Sequence, residues 1–263
     1  MNEKAYPSAI TSYDLLKAVA IILMIIDHLG AFVFIDESWM RAVGRLSAPI
    51  WLFLIGYAKT RHVPVRLLAA AFIMLVANFI VGVPVFTLNI LFSLILIRLS
   101  LDYIVKVMCG NASRVMIFTL FTGFVFFPTG AIFDYGSVGV TIALFGFFMR
   151  HKDQVRNDKF LWGYMLLVYC VYVITQQLLF GFGERDILLM LFGVMLVCVW
   201  LYKFSPGQYS ALTAALPRSC VTVIQFCGRR SLEVYVVHFI ALQLYAKMVG
   251  NIPGEWFVFW LFA

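Results

Sequence analysis

The sequence predicts an all-α protein, a polytopic bundle of about nine to ten transmembrane helices. Hydrophobic residues make up 63% of the 263 residues and charged residues only 13%, whereas a soluble domain is about half apolar and about a quarter charged. The apolar residues also form long continuous runs, most of them near the roughly 20 residues that cross a bilayer as a helix. These two observations exclude a disordered chain, a soluble secreted product and a cytosolic enzyme.

The individual helices follow from apolar runs that charged or Gly- and Pro-rich segments separate. The predicted spans are 13–35, 42–58, 67–83, 87–105, 114–128, 135–150, 160–181, 187–203, 230–249 and a short final one from 255. The first run is too long for the core of a signal peptide and lacks a small-residue cleavage site after it. The intervening residues 204–229 predict an interfacial loop or a re-entrant segment.

The basic residues predict the orientation of these spans. With the N-terminus in the cytoplasm, the outer side holds only four of the 20 lysines and arginines. These four are Arg41, Arg45, Arg185 and Lys247. Cytoplasmic loops of membrane proteins are enriched in Lys and Arg, so this asymmetry explains the net charge of +7 without a nucleic-acid partner.

Two histidines lie inside predicted spans, whereas His62 and His151 lie in basic loops and are expected at the surface. His28 directly follows Asp27 in the first span. Ionisable groups within the membrane are energetically costly and usually functional, and a carboxylate beside an imidazole can orient it for general-base catalysis. The alternative is a polar pair that only hydrogen-bonds to other helices.

Lys17 shares a helical face with His28. They are eleven residue steps apart, which places them within about 20° on the helix and roughly 16 Å apart along its axis. This arrangement suits a long ligand with an anionic head at Lys17 and a reactive end at His28. The alternative is that Lys17 only marks the cytoplasmic end of the span.

Arg45 lies just inside the second span, within reach of the Asp27 and His28 level. One interpretation is a structural ion pair between Arg45 and Asp27, which makes both charges tolerable in lipid. The other is that Arg45 contacts a substrate.

The ninth span carries a second polar stripe, because Ser231, Tyr235 and His238 recur at spacings of four and three. Rise per residue places His238 about 12 Å and His28 about 20 Å from the inner edge, and because these depths differ a pair of the two histidines is not assumed. Arg229 and Arg230 either bind a phosphate or anchor the helix end. Arg98 in the fourth span is a further candidate for anion binding.

The pattern of the first two spans resembles a known family. The segments DLLKAVAIILMIIDHLGAF and ESWMRAVGRLSAPIWLFLIGYAKTRH contain Asp–x–x–Lys, Met–x–x–Asp–His and Gly–Arg–x–x–x–Pro. This combination is similar to the start of the TraX family, the conjugative F-pilin acetylation proteins. The matching residues are Asp14, Lys17, Met24, Asp27, His28, Gly44, Arg45 and Pro49, followed by Asn89, Tyr135, Gly136, Gly139, Tyr235 and His238.

Two features of the sequence weaken the support for a pilin as the acceptor. The family usually has an aromatic residue before the proline of the second span, where this chain has Ser47 and Ala48. The final motif also resembles the broader acyltransferase-three superfamily, whose members acetylate surface glycans. The resemblance therefore supports acetyl transfer more strongly than it supports a pilin acceptor.

The resemblance implies that residues 1–263 form a single acyltransferase-like domain in the bacterial inner membrane. It would move an acetyl group from cytoplasmic acetyl-CoA to a pilin N-terminus or to a surface glycan, without a metal. The implied roles comprise catalysis by His28, Asp27, Arg45 and His238, binding of the acetyl-CoA phosphates by Lys17, Arg98, Arg229 and Arg230, and substrate binding by Asn89, Asp134, Tyr135 and Tyr235. A small proton-coupled transporter or channel, and a non-catalytic scaffold, are the alternatives from other classes.

Overall fold

The computed structural model describes residues 7–84, 88–108, 110–155 and 157–257, and these residues form an all-α fold without strands. The helices are α1 (Ser12–Phe32), α2 (Ser38–Gly44), α3 (Ser47–Tyr57), α4 (Val65–Val81), α5 (Ile90–Met108), α6 (Ala112–Phe124), α7 (Phe126–Gly130), α8 (Val138–Arg150), α9 (Lys152–Val155), α10 (Asp158–Phe180), α11 (Glu184–Tyr202), α12 (Ser210–Ala215), α13 (Arg218–Arg229) and α14 (Ser231–Met248). The predicted all-α class is confirmed.

Three helices of the described residues, α1, α10 and α11, are long and apolar enough to cross a membrane, and α4, α6 and α8 are apolar but shorter. Many large apolar side chains on these helices face outward, such as Phe192 (71% exposed), Leu196 (71%) and Phe124 (84%). An outward apolar surface of this kind fits lipid and is unusual for a soluble monomer. The number of spans and the side of the N-terminus remain predictions.

The predicted second span, 42–58, is broken into α2 and α3 at Arg45 and Leu46. Pro49 accounts for the break, because proline has no N–H to donate to the carbonyl four residues earlier. That carbonyl belongs to Arg45, and it accepts a hydrogen bond of 2.6 Å from the Tyr172 hydroxyl instead. The predicted span 114–128 is divided in the same way into α6 and α7.

The uncertain segment 204–229 contains the helices α12 and α13. The amphipathic helix α13 packs on the start of α1, where a Cβ at Gly228 would lie 2.5 Å from the Asp14 Cα. The predicted final span from 255 lies mostly outside the described residues, and residues 255–257 are not helical.

The core of the bundle is built around α1, which contacts α2, α3, α13 and α14, and around a close crossing of α3 with α8. At that crossing, a side chain on Gly56 would collide with the Ala143 carbonyl, and one on Gly146 with the Phe53 carbonyl. Only glycine allows the two backbones to approach so closely. Four other helices therefore pack along α1, with α13 at its start and α2 and α14 beside its second half, which carries Asp27 and His28.

Candidate functional site: a histidine pair between two cavities

The Asp27 carboxylate forms ion pairs with two arginines from α2 and the break that follows it. Arg45 Nη2 contacts Asp27 Oδ2, and Arg41 Nη1 lies 2.9 Å from Asp27 Oδ1. Asp27 and Arg45 are each only 6% exposed. A side chain at Gly44 would collide with Asp27, so this glycine lets α2 approach α1 closely enough for both pairs to form.

Arg45 is held on several sides besides its ion pair. Its Nη1 donates to the Tyr135 hydroxyl at 3.2 Å, and its guanidinium stacks over the Phe180 ring at 4.6 Å. Tyr135 has a φ of 64°, which is unusual for a residue other than glycine and recurs at functional sites where the surroundings enforce it. The arrangement gives a fixed positive group inside the bundle.

The two histidines predicted to lie at different depths are in direct contact. His28 Nδ1 lies 2.8 Å from His238 Nε2, and the rings stack with centroids 5.0 Å apart. The depth estimate was wrong because it assumed parallel helices that start at one level, and because each imidazole reaches several ångströms from its own backbone. His28, rather than being oriented by Asp27, is therefore oriented by His238.

The hydrogen bonds of the pair determine which nitrogen carries each proton. His238 Nδ1 lies 2.6 Å from the Val234 carbonyl, which can only accept, so Nδ1 carries the proton. In a neutral ring His238 Nε2 is then the acceptor, and His28 Nδ1 is the donor to it. The remaining nitrogen, His28 Nε2, keeps its lone pair and has no hydrogen-bond partner among the described residues.

Two cavities lie along α1 and meet beside His28. The first, here called the basic cavity, has a volume of about 420 Å³ and lies along the first half of α1. The second, here called the histidine chamber, has a volume of about 450 Å³ and contains His28, Asp27 and Arg45 in its wall. Four residues line both cavities, which are therefore adjacent, and the boundary that these residues form is here called the neck. They are Met24, Trp51, Ile90 and Tyr235.

The basic cavity contains three of the four predicted phosphate-binding residues. Lys17, Arg98 and Arg229 line it, whereas Arg230 does not and lies 3.7 Å from Glu233. The Lys17 ammonium has no hydrogen bond or ion pair with the residues that the structure describes.

The arginines of the basic cavity already have partners. Arg98 donates to the His62 carbonyl at 2.8 Å, and Arg229 lies 3.3 Å from Asp14 Oδ2. Arg66 from α4 also lines the cavity and pairs with Glu233. Sequence reasoning missed Arg66 because an arginine at the start of a span looks like any other topology anchor.

All four predicted substrate residues line the histidine chamber, but one of them has a structural role. Asn89 caps α5 by accepting from the Leu91 N–H at 3.1 Å and donates to the Ala71 carbonyl. Asp134 lies beside this helix start, and its backbone carbonyl accepts from the Ser93 hydroxyl at 2.7 Å. Tyr235 is 5% exposed, and its ring lies 5.9 Å from that of His28.

The chamber also contains polar residues that sequence reasoning did not single out. Asn78, Gln176 and Gln243 line it, and each is at most 7% exposed. The signal was present in the sequence, since each of them interrupts an otherwise apolar run.

Comparison with known proteins gives one family and three relatives. The TraX protein family model matches residues 12–244. An uncharacterized protein of Rickettsia prowazekii (strain Madrid E) is 23% identical over 241 residues, which cover 89% of this chain and 92% of the relative. A protein TraX of Escherichia coli (strain K12) is 38% identical over 56 residues, covering 21% of this chain and 23% of the relative.

A second protein TraX of Escherichia coli is 30% identical over 86 residues, covering 30% of this chain and 35% of the relative. The matched regions thus span about a quarter to a third of the length of the two proteins named TraX. No solved structure matches the chain. Because the family model covers most of the sequence, this chain belongs to the TraX family.

Proposed function

We propose that this protein is a membrane-embedded acetyltransferase that uses cytoplasmic acetyl-CoA and acetylates the N-terminal amine of a pilin at the outer side of the inner membrane. One observation carries the proposal. His28 lines the histidine chamber, and its Nε2 has no hydrogen-bond partner among the described residues. This chamber is adjacent to the basic cavity, which is lined by lysine and arginine. A candidate base and a candidate anion-binding site thereby lie in adjacent cavities inside the bundle, on either side of the neck.

The residues of the basic cavity fit the anionic end of acetyl-CoA. Lysine and arginine bind phosphate by charge-assisted hydrogen bonds, and Lys17 has no competing partner among the described residues. Arg98 and Arg66 lie in the same wall. Bound acetyl-CoA would supply an activated acetyl thioester to the neck beside His28.

His28 would act as the general base. Its Nε2 would accept a proton from the acceptor amine as the N–C bond to the acetyl carbon forms. The thioester C–S bond would then break, and the coenzyme A thiolate would leave and take up that proton from His28. His238 fixes the tautomer of His28 and accepts its Nδ1 proton in a hydrogen bond, so it is a positioning residue. Arg45, anchored by Asp27, would stabilise negative charge that develops on the acetyl oxygen.

The choice of acceptor rests on the resemblance to pilin-acetylating proteins, and a surface glycan hydroxyl is the alternative within the same chemistry. A proton-coupled transporter is the alternative from another class. It is favoured by two adjacent cavities whose walls contain charged and titratable groups inside the bundle, since such groups often mark ion pathways.

The test is acetyl transfer by purified protein in detergent, with acetyl-CoA binding measured on the same preparations. His28→Ala should lower transfer by about 10²–10⁴-fold, as for a lost general base, and should leave acetyl-CoA affinity unchanged. His62→Ala is the matched control, because His62 is exposed and outside both cavities.

His238→Ala should lower transfer less than His28→Ala, because it removes only the group that orients the base. Normal transfer by both histidine variants would contradict the mechanism. Absence of transfer by the wild type, together with proton flux in vesicles, would favour the transporter.

A further inference from the structure

The histidine chamber contains two buried amide oxygens that lack partners among the described residues. They are Oε1 of Gln176 and Oε1 of Gln243. Their side chains belong to residues that are only 1% and 2% exposed. Buried polar atoms are nearly always hydrogen-bonded, and an unpaired one is costly. Both oxygens therefore indicate a ligand that donates hydrogen bonds inside the chamber.

Gln176 lies on the face of α10 that is directed toward Arg45. Tyr172, Gln176 and Phe180 follow one another at intervals of four residues and so share a helical face. The Tyr172 hydroxyl donates to the Arg45 carbonyl at 2.6 Å, and the Phe180 ring lies under the Arg45 guanidinium. Gln176 between them is thereby placed in the chamber wall beside the charged cluster.

Gln243 lies on the face of α14 that contacts His28. It follows Tyr235 and Phe239 at intervals of four, and Phe239 packs edge-on against the His28 ring at 4.8 Å. Gln243 Nε2 donates to Asn78 Oδ1 at 2.9 Å, which orients the amide and leaves Oε1 without a donor among the described residues.

We infer that Gln176 and Gln243 bind backbone N–H groups of a peptide acceptor whose terminal amine lies at His28. The inference rests on the proposed function and extends it to the residues that recognise the acceptor. Gln243 is five residues beyond His238 on α14, a rise of about 7.5 Å. Two residues of an extended peptide span about 7 Å, so the N–H of the third acceptor residue would reach Gln243.

The composition of the chamber wall favours a peptide over a sugar. A sugar ring carries hydroxyls around its whole perimeter, each of which needs a polar partner when buried. An extended peptide points successive side chains to opposite faces, so apolar side chains can pack on an apolar wall between its N–H groups. Much of the wall is correspondingly aromatic or aliphatic. These wall residues are Phe32, Phe126, Leu179, Phe180, Phe239 and Ile252.

The experiment measures acetyl transfer to an alanine tetrapeptide amide and to the same peptide N-methylated at its third residue. The variants are Gln176→Met and Gln243→Met, which keep side-chain length and remove the amide. Gln177→Met is the matched control. Its Oε1 also lacks a partner among the described residues, but Gln177 lies outside the chamber lining and its Nε2 donates to the Phe182 carbonyl at 3.0 Å.

Each chamber variant should raise the KM for the tetrapeptide by about 3- to 10-fold, the effect of one neutral hydrogen bond. The kcat and the affinity for acetyl-CoA should stay within about twofold of the wild type, since neither glutamine contacts the donor in this arrangement. N-methylation should weaken the wild type by a similar factor and should not weaken Gln243→Met further.

Three outcomes would overturn the inference. They distinguish an error in the recognition residues from an error in the acceptor class and from a failure of the proposed acetyl transfer. If the tetrapeptide is acetylated but both glutamine variants behave like Gln177→Met, the recognition residues are wrong and acetyl transfer stands. If the wild type acetylates N-acetylglucosamine hydroxyls and no peptide, the peptide acceptor is also wrong. If no acceptor releases CoA from acetyl-CoA, the proposed function fails with it.

Discussion

Replacing Arg45 by methionine tests whether its ion pair with Asp27 is what keeps two charges inside the bundle. Removing one partner of a buried ion pair destabilises a protein by about 3–5 kcal/mol, because the other charge is left uncompensated. Arg41 remains 2.9 Å from Asp27 Oδ1, so we expect the lower end, about 3 kcal/mol. For a chain of this size, 1 kcal/mol lowers Tm by about 2–4 °C, which gives a loss of about 6–12 °C.

The assay is thermal unfolding of purified protein in detergent at one fixed scan rate. Arg41→Met is the matched control. Its side chain is 25% exposed and so stays partly hydrated, and Arg45 still neutralises Asp27 in this variant, so Tm should fall by less than in Arg45→Met. The double variant Asp27→Asn with Arg45→Met removes both charges and should recover much of the loss.

Two results would refute this reasoning. A Tm decrease below about 2 °C for Arg45→Met would show that the pair contributes little to stability. Additive losses in the double variant would show that Asp27 and Arg45 act independently, because interacting residues give a coupling energy in a double-mutant cycle.

Three further predictions concern the donor site, the orientation and the packing. Lys17→Ala should weaken acetyl-CoA binding, measured by titration calorimetry, by about 10- to 150-fold, or roughly 1.5–3 kcal/mol for a charge-assisted bond. An unchanged affinity would mean that Lys17 only marks the cytoplasmic end of the first span. A cysteine introduced at Asp153 should resist labelling by an impermeant reagent in whole cells, and ready labelling would reverse the predicted topology. Gly56→Ala should lower Tm more than Gly110→Ala. The methyl group added at position 56 would collide with the Ala143 carbonyl, whereas nothing lies within 4 Å of a Cβ at position 110.

The positions of most helices were predictable because they depend on local sequence. The apolar run 13–35 predicts α1, observed at Ser12–Phe32, and 160–181 predicts α10, observed at Asp158–Phe180. The proximity of Asp27 and Arg45 was also predictable, since only 18 residues separate them. In each case a short stretch of chain contains all the information.

The histidine pair could not be predicted in the same way. His28 and His238 are 210 residues apart, and their contact depends on how α14 is placed along α1. That placement is a matter of tertiary packing between α1 and α14, and no local pattern records it. The break in the second span is different, because it was predictable from Pro49, which cannot donate a hydrogen bond to the Arg45 carbonyl. It was not predicted because the run 42–58 is largely apolar and was therefore interpreted as one span.

The order in which these contacts become possible has a consequence for synthesis of the protein. At about 5–20 residues per second, the Asp27–Arg45 pair becomes available within a few seconds of the emergence of α1. The partner of His28 follows only after 210 more residues, or about 10–40 s. During that interval Asp27 and Arg45 can already pair, while His28 still lacks its partner His238. A chain interrupted before α14 would therefore insert its first helices without the histidine pair, so the site is complete only once nearly the whole chain has been synthesised.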